Sequence, residues 1–478
     1  MSRNSGTSFY IMLALVTAGV LSPAPSGQGN ALAQVRLPPV QGPIGRPLDP
    51  AFERVDRIGR RIERQVPEAA DDVADAAEEE IDEVTGEAGE TVDSLTGTVN
   101  AVTGQAVQDV TGVVNAALRP FDLDMDPAGA PIERDLVVML LDDRQLQSAT
   151  LGGLEIAAQR KLQSMGLTLV TLRKPAGADL SQTISNLRTS LPGVAVDFNH
   201  VYRFAAETFA VPAGEEAQGT NALPDPVSAE AGVRVGMIDS AVKSDHPALR
   251  DSTVVNADFV SNEGVRPLGH GTAVASLIAR SSNHDAEIYA ASVFFQTGNY
   301  APGATTESLV AALDWLAAQR VHVINMSLAG PGNALLERAI AAMADSVPVI
   351  VAAVGNNGPS GEPLYPAAYD DVIGITAVDR EQRIFRYANR GEHVDFAALG
   401  VNLKVADSGG SWRMESGTSM ASPHVAVVVA RMQRTGPLTH DALMNALAAG
   451  AEDLGRRGFD STYGHGLVTE PPVLLSQQ

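Results

Sequence analysis

The stretch VRVGMIDS, residues 233–240, is an apolar run that ends at an acidic residue, Asp239. Similar apolar runs follow it, separated by stretches in which apolar residues recur at helical spacing. The further runs are EIYAASVF (287–294), HVINMSLA (322–329), VPVIVAAVG (347–355) and VIGITAV (372–378). Strands that are apolar almost throughout are typical of a sheet buried on both faces. We therefore predict an α/β domain with a doubly wound, mostly parallel sheet.

Three reactive side chains lie where predicted strands and helices meet. Asp239 ends the first strand, His270 in GHGTAVAS begins a helix, and Ser419 in GTSMASPH begins another. Taken singly, a turn, a loop and a helix N-cap explain them. Together they supply what a serine nucleophile needs, namely a histidine base and a carboxylate that orients it. The set predicts covalent catalysis by Ser419.

The order and spacing of these segments resemble those of the subtilisin-like serine proteases, or subtilases, over roughly residues 230–470. The resemblance implies that Asp239, His270 and Ser419 form the catalytic triad. It also implies that Asn356, in AAVGNNG after an apolar strand, is the side-chain donor of the oxyanion hole. For an asparagine between glycines, a turn is the structural alternative.

A further segment, MSLAGPG at 326–332, resembles the subtilase edge on which a substrate lies as an added strand. Its substrate-binding residues would be Ser327, Leu328, Ala329 and Gly330. The structural alternative is a strand that simply runs into a loop. The short passage SSNHD (281–285) leaves little room for the calcium-binding loop of many subtilases. We therefore predict no metal site and no cofactor.

Residues 131–205 have the pattern of a small α+β domain of the split-βαβ type. Strands are predicted at ERDLVVMLLD, LTLVTLR and VAVDFNHVYRF, and helices at 148–166 and at DLSQTISNLRTSLPG. By position and pattern this domain resembles the inhibitory propeptide of subtilases, which implies an intramolecular inhibitor. Residues 206–230 are rich in Ala, Gly, Pro and Glu and predict an exposed linker. We expect self-cleavage between Arg203 and Pro212, close to Ala205.

The first 33 residues have the three parts of a secretory signal peptide: Arg3, an apolar run over 9–21, and an Ala31-Leu32-Ala33 cleavage motif. The apolar run is shorter than a transmembrane helix. An uncleaved anchor is the alternative. We predict an exported protein, periplasmic or extracellular, with no stable membrane span after cleavage.

Residues 34–130 predict a linker and a disordered, acidic low-complexity region, with twelve Asp or Glu and no Lys or Arg between Glu68 and Asp93. Apolar residues recur at mostly helical spacing from Val92 to Leu118. That spacing fits either a weak partner or membrane-surface helix or, as the composition favours, a solvated spacer.

Composition limits the partners of this 478-residue chain. Its formal net charge of −23 argues against nucleic acid, because phosphate binding needs clustered Lys and Arg. The chain has no cysteine, which excludes disulfides and a thiolate nucleophile. We predict protein or peptide substrates and a catalytic domain over 231–472.

The sequence thus predicts an exported, self-processing serine endopeptidase that acts through an acyl-enzyme. Two other interpretations remain open. One is a non-enzymatic binding protein on an inactive fold of this family. The other is a protease that cuts mainly itself, with the acidic region as its exported function.

Overall fold

The computed structural model describes residues 122–148, 151, 153–205, 232–260, 268–295, 303–343, 348–434 and 436–469. The predicted signal peptide, nearly all of the acidic region and almost the whole 206–230 linker therefore lie outside the described residues. The chain divides into two compact units, Met1–Gly129 and Ala130–Gln478. In the first unit, the described part contains one short strand, β1 (Leu123–Met125).

Residues 131–205 form a module that we call the split-βαβ module. Its elements are β2 (Pro131–Leu141), α1 (Asp143–Ser148), β3 (Glu155–Leu162), β4 (Leu167–Arg173), α2 (Leu180–Ser190) and β5 (Ala195–Phe204). The strands lie in the order β3-β4-β2-β5, and each neighbouring pair is antiparallel. Strands β2 and β3 are therefore parallel with β4 between them, which is the arrangement that gives the split-βαβ unit its name.

The helix predicted over 148–166 is wrong. The helix in this part of the chain is the short α1, and residues 155–162 form strand β3, paired along its length with β4. Strand β3 is an edge strand with almost every side chain exposed, so its sequence carries no alternating pattern. Pairing with β4 decided the structure here, against the helix propensity of Ala, Gln, Arg and Lys.

Strand β2 is apolar at successive positions because both of its faces are covered. Val137, Met139 and Leu141 pack with Ile184 and Leu187 of α2 on one face. On the opposite face, the intervening residues Val138 and Leu140 belong to the apolar core of the following domain. The module therefore has only one face covered by its own helices, and its second face needs a partner surface.

The following α/β domain, residues 232–469, supplies that surface. Its strands are β6 (Val233–Asp239), β7 (Thr253–Asp258), β8 (Ala286–Ser292), β9 (Phe294–Phe295), β10 (Gly303–Thr305), β11 (Val323–Met326), β12 (Leu328–Ala329), β13 (Val349–Ala353), β14 (Val372–Val378), β15 (Phe396–Leu399), β16 (Leu403–Ala406) and β17 (Trp412–Glu415). Its helices are α3 (Gly269–Ser281), α4 (Thr306–Ala318), α5 (Ala334–Ala341), α6 (Thr418–Arg434) and α7 (His440–Gly450).

Seven of these strands form one sheet, in the order β15-β14-β13-β11-β6-β8-β7, and every neighbouring pair is parallel. Helices α3, α6 and α7 contribute to the apolar core that includes Val235, Met237 and Val323, and helices α4 and α5 to the core that includes Ile238 and Ile324. Since alternate strand residues point to opposite faces, helices cover both sides. The predicted doubly wound α/β fold is confirmed. In the part of the chain that is described, no helix is long and apolar enough to cross a membrane.

Asp395, the residue before β15, makes the stability of the domain depend on pH. Burial raises the pKa of this carboxyl from 3.8 to about 7, although it accepts a 2.7 Å hydrogen bond from the Gly374 amide. Between those two pKa values the folded state holds a proton that the unfolded state has lost, so this group lowers stability as the pH rises from 4 to 7.

We predict that Asp395→Asn, which keeps an acceptor for Gly374, is more stable than its parent above pH 7 and little changed near pH 4. Urea unfolding at both pH values, in a Ser419→Ala background that prevents proteolysis, measures the difference. A difference in stability that does not depend on pH would contradict the role given to this carboxyl.

Candidate active site

Asp239 and His270 meet at the carboxyl edge of the parallel sheet. Asp239 is the last residue of β6, and His270 lies in the first turn of α3. Nδ1 of the imidazole lies 2.8 Å from Oδ1 and 3.0 Å from Oδ2 of the carboxylate. Both residues are buried, with exposed fractions of 8% for His270 and 1% for Asp239. Such a pair holds the imidazole in the tautomer that leaves Nε2 free to accept a proton.

The residue after His270 has to be glycine. A Cβ atom on Gly271 would lie 2.2 Å from the carbonyl oxygen of Ser240, which no side chain can tolerate. The close approach lets the Gly271 amide donate a 2.8 Å hydrogen bond to Oγ of Ser240. This contact fixes the start of α3 against the end of β6, and so fixes His270 beside Asp239.

Ser419 lies in the first turn of α6, next to Ser327, the residue that follows β11 at this edge. Its Oγ is fully buried and donates to the carbonyl oxygen of Ser327 at 3.2 Å. Oδ1 of Asn356 accepts from the amide and the hydroxyl of Thr418, each at 3.2 Å. That orientation leaves Nδ2 of Asn356 buried without a hydrogen-bond partner among the described residues, and Nε2 of His270 is in the same state. One atom is thus ready to donate to an anion and the other to accept a proton.

The end of β5 lies in the groove beside Ser419. On one side β5 pairs antiparallel with β10, where Tyr202 lies opposite Ala304. On the other side it pairs antiparallel with β12, where Phe204 lies opposite Leu328. The next residue, Ala205, donates its amide to the carbonyl oxygen of Ser327 at 3.3 Å. The segment 201–205 is therefore a middle strand, bonded through its backbone to both edges of the groove.

Side chains of the same segment fill the groove. The Phe204 ring stacks on the His270 imidazole, with centroids 4.3 Å apart and planes inclined by 20°. The buried Tyr202 ring covers Gly330, where an added Cβ would lie 2.4 Å from it. Its hydroxyl donates to the Pro331 carbonyl at 3.0 Å. Burial raises the pKa of Tyr202 well above its ordinary value, so the phenol stays protonated as a donor.

Outside the groove, the split-βαβ module is held by the helices α4 and α5. The amides of Gln163, Ser164 and Met165 all donate to the carboxylate of Asp314 in α4, at 2.8 to 3.1 Å. Asp197 of β5 accepts from the Ala334 amide at the N-terminus of α5 at 2.9 Å.

A second helix start is held in the same way. Asn199 accepts from the amide of Glu307 in the first turn of α4 at 3.0 Å. Burial raises the pKa of Glu307, which still accepts a 2.9 Å bond from the Thr171 hydroxyl. Polar side chains of the module thus satisfy amides at two helix starts, which have no partner within their own helices.

The structure places the predicted site residues in three separate contacts: Asp239 with His270, Ser419 with Ser327, and Asn356 with Thr418 beside the serine. Among the described residues Nε2 of His270 has no hydrogen-bond partner, so the structure does not join Ser419 to His270 by a hydrogen bond. The predicted substrate-binding residues Ser327, Leu328, Ala329 and Gly330 line the groove that holds β5.

The sequence pattern did not identify Phe204 and Tyr202, whose side chains fill the groove, or Leu364, which packs against Ala205. It also did not identify Asp314, which anchors the module. The only signal in the sequence was that VYRFA directly precedes the linker.

Comparison with known proteins identifies the family. The profile of the subtilase family matches residues 230–466. Subtilisin DY of Bacillus licheniformis is 34% identical over 253 residues, which cover 50% of this chain and 89% of that protein. The chain belongs to the subtilase family. It is a serine endopeptidase of the subtilisin type.

Other subtilases extend the comparison. Subtilisin E of Bacillus subtilis is 32% identical over 295 residues, which cover 58% of this chain and 74% of that protein. Among solved structures, fervidolysin from Fervidobacterium pennivorans, a keratinolytic enzyme related to subtilisin, matches with a TM-score of 0.57 and 18% identity. That match covers 70% of this chain and 60% of fervidolysin. At this identity it supports the fold of the subtilase domain.

The two glycines that flank His270 provide a matched pair of variants. We predict that Gly271→Ala costs at least about 1–3 kcal/mol of stability and most of the activity, because its methyl group meets the Ser240 backbone. At Gly269 the nearest atom to an added Cβ is Nη1 of Arg413 at 3.6 Å, an ordinary contact. Gly269→Ala should therefore stay close to its parent. Urea unfolding and peptidase rates test both variants, and equal behaviour would contradict the assignment.

Proposed function

We propose that this subtilase cleaves peptide bonds with Asp239, His270 and Ser419 as its triad and Asn356 as the side-chain donor of the oxyanion hole. The observation that carries the proposal is a shared acceptor. The Ser327 carbonyl oxygen receives both the Ser419 hydroxyl, at 3.2 Å, and the amide of the strand lying in the groove, at 3.3 Å. In a polypeptide bound in this register, the residue at the position of Ala205 would bring its carbonyl group next to Ser419.

In the proposed reaction, the Ser419 hydroxyl turns from the Ser327 carbonyl to Nε2 of His270. His270 takes the proton as Oγ attacks the substrate carbonyl carbon, and Asp239 stabilises the imidazolium. The oxyanion receives hydrogen bonds from Nδ2 of Asn356 and from the backbone at the start of α6. His270 then protonates the leaving amine, and water hydrolyses the acyl-enzyme by the same route.

Substrate binding would use backbone hydrogen bonds to β10 and β12, so affinity comes largely from the main chain and selectivity from side-chain pockets. Ser327, Leu328, Ala329 and Gly330 supply the β12 edge. Such a groove would accept segments of proteins that can adopt an extended conformation.

The split-βαβ module acts, in this proposal, as an intramolecular inhibitor that the enzyme cuts from itself. Support comes from the position of its last strand, which fills the groove from Val201 to Ala205. The module's contacts to α4 and α5 would hold the cleaved end in place as product. Residues 131–205 would then be the propeptide, and residues 231–472 the catalytic domain.

Export to the periplasm or the medium completes the proposal. The predicted signal peptide at residues 1–33 supports it, although this segment lies outside the described residues. A relative 30% identical over 247 residues is a minor extracellular protease of Bacillus subtilis, of which the match covers 37%.

The first prediction for this mechanism concerns the nucleophile and its base. Ser419→Ala should abolish hydrolysis of casein and labelling by a fluorophosphonate probe, because it removes the oxygen atom that attacks the substrate and the probe. Asp239→Asn should be severely impaired while remaining folded, because an amide presents the wrong partner to the imidazole. Circular dichroism and urea unfolding serve as folding controls. Casein hydrolysis by folded Ser419→Ala at the wild-type rate would exclude Ser419 as the nucleophile.

The second prediction concerns maturation. Purified wild-type protein should acquire a new N-terminus between Arg203 and Pro212, most simply after Ala205, and release a fragment that contains residues 132–204. Ser419→Ala should stay uncut in that window in the absence of other proteases. Mass spectrometry and N-terminal sequencing measure both outcomes. Efficient processing of the Ser419→Ala protein would mean that another protease performs the cut.

A further inference from the structure

The side chain of Ala205 lies in a small apolar pocket beside Ser419. The pocket is formed by Ala329 and Ala353, which are buried, and by the partly buried Leu364. Ala205 itself is only 3% exposed, although its side chain is a single methyl group. Protein atoms therefore surround the Ala205 methyl group almost completely.

Leu364 is the bulkiest of the side chains that pack around Ala205. Its Cδ1 lies 2.6 Å from the position that a Cβ on Gly355 would take, so the isobutyl group covers the backbone just before Asn356. The loop that carries Leu364 is fixed, because Tyr365 and Gly330 exchange two backbone hydrogen bonds of 2.9 Å. A movement of the loop therefore cannot carry Leu364 aside, and a large substrate side chain would have to displace the leucine side chain itself.

The register of the bound strand is fixed as well. The Tyr202 ring fits over Gly330, and its hydroxyl is bonded to the Pro331 carbonyl. A shift of the strand by one residue would remove these contacts and turn each side chain to the opposite face. Ala205 is thus the residue that this groove presents to Ser419, in the position called P1 when substrate residues are counted back from the cleaved bond.

From these contacts we infer that the enzyme cleaves after residues with alanine-sized side chains and that Leu364 is the residue that imposes this selectivity. The inference rests on the proposed function and names its substrate class: extended polypeptides with a small residue at P1. Large aromatic and aliphatic P1 residues are rejected because Leu364 occupies the space that they need. Replacing Leu364 by alanine should make room for them.

The test uses enzyme obtained from the full-length chain after its own processing. Its substrates are acetyl-Tyr-Arg-Phe-Ala-p-nitroanilide, which copies residues 202–205, and the same peptide with Phe at P1. We expect kcat/KM to be at least about tenfold higher for the Ala peptide, as misfit in an apolar pocket typically costs. Leu364→Ala should raise kcat/KM for the Phe peptide by about tenfold and so remove most of the difference between the two peptides.

A matched control and a processing assay complete the experiment. Leu454→Ala removes the same atoms from a partly buried leucine in a separate cluster, around Val378 and Leu467. It should not change the preference of the enzyme between the two peptides. In the full-length chain, Ala205→Phe should slow self-processing, and Leu364→Ala added to it should restore the rate.

The outcomes separate the inference from the proposed function. If wild type cleaves neither peptide nor itself, the proposed function fails. If wild type cleaves both peptides in a Ser419-dependent way and prefers Phe, the proposed function stands and the inference is wrong. If Leu364→Ala does not fold, the wild-type preference between the two peptides still decides whether the pocket is selective. A preference for Ala that Leu364→Ala and Leu454→Ala leave equally intact would remove the role given to Leu364.

Discussion

The parallel pairing of β6, β11 and β13 is the constraint on which the active site depends. In parallel strands all carboxyl ends lie at one edge, and here that edge carries Asp239, Ser327 and the approach to Asn356. The helices α3 and α6 begin at the same edge and bring His270 and Ser419. Residues that lie far apart in the chain therefore meet without any special loop, and the buried strands keep them in place.

A second constraint is the backbone pairing of β5 with β10 and β12. It lets one strand belong both to the split-βαβ module and to the groove of the subtilase domain. In the proposed maturation, cleavage after this strand breaks one covalent bond but none of these contacts. The apolar face of β2 and β4, together with the bonds to Asp314 and from Ala334, would then hold the inhibitor after the cut. Inhibition and substrate recognition would thus use the same hydrogen bonds.

Two other interpretations were open from the sequence, and the geometry bears on them differently. A binding protein without activity has no need for a carboxylate hydrogen-bonded to Nδ1 of His270, or for Nδ2 of Asn356 and Nε2 of His270 to be buried without a partner among the described residues. Membership in the subtilase family, as a serine endopeptidase of the subtilisin type, argues against it further. A protease that acts mainly on itself differs from a general one in its substrates alone, which is why the selectivity of the Ala205 pocket matters.

The sequence by itself determined the α/β fold and the residues of the candidate site. Apolar strands buried on both faces and glycine-flanked reactive residues are local signals, because strand burial and close backbone approach leave their mark at each position. The same kind of local reasoning was wrong for residues 155–162, where an exposed edge strand leaves no such mark and pairing with β4 decided the structure.

Only the tertiary structure decided what contacts the cleft. Phe204 stacks on His270, Tyr202 covers Gly330, and Leu364 packs against Ala205. These contacts join residues up to 159 positions apart, counting from Ala205 to Leu364 (364 − 205). Nothing in the neighbourhood of either residue along the chain encodes such a contact. It exists because the register of β5 between β10 and β12, a property of the assembled sheet, brings the two side chains together.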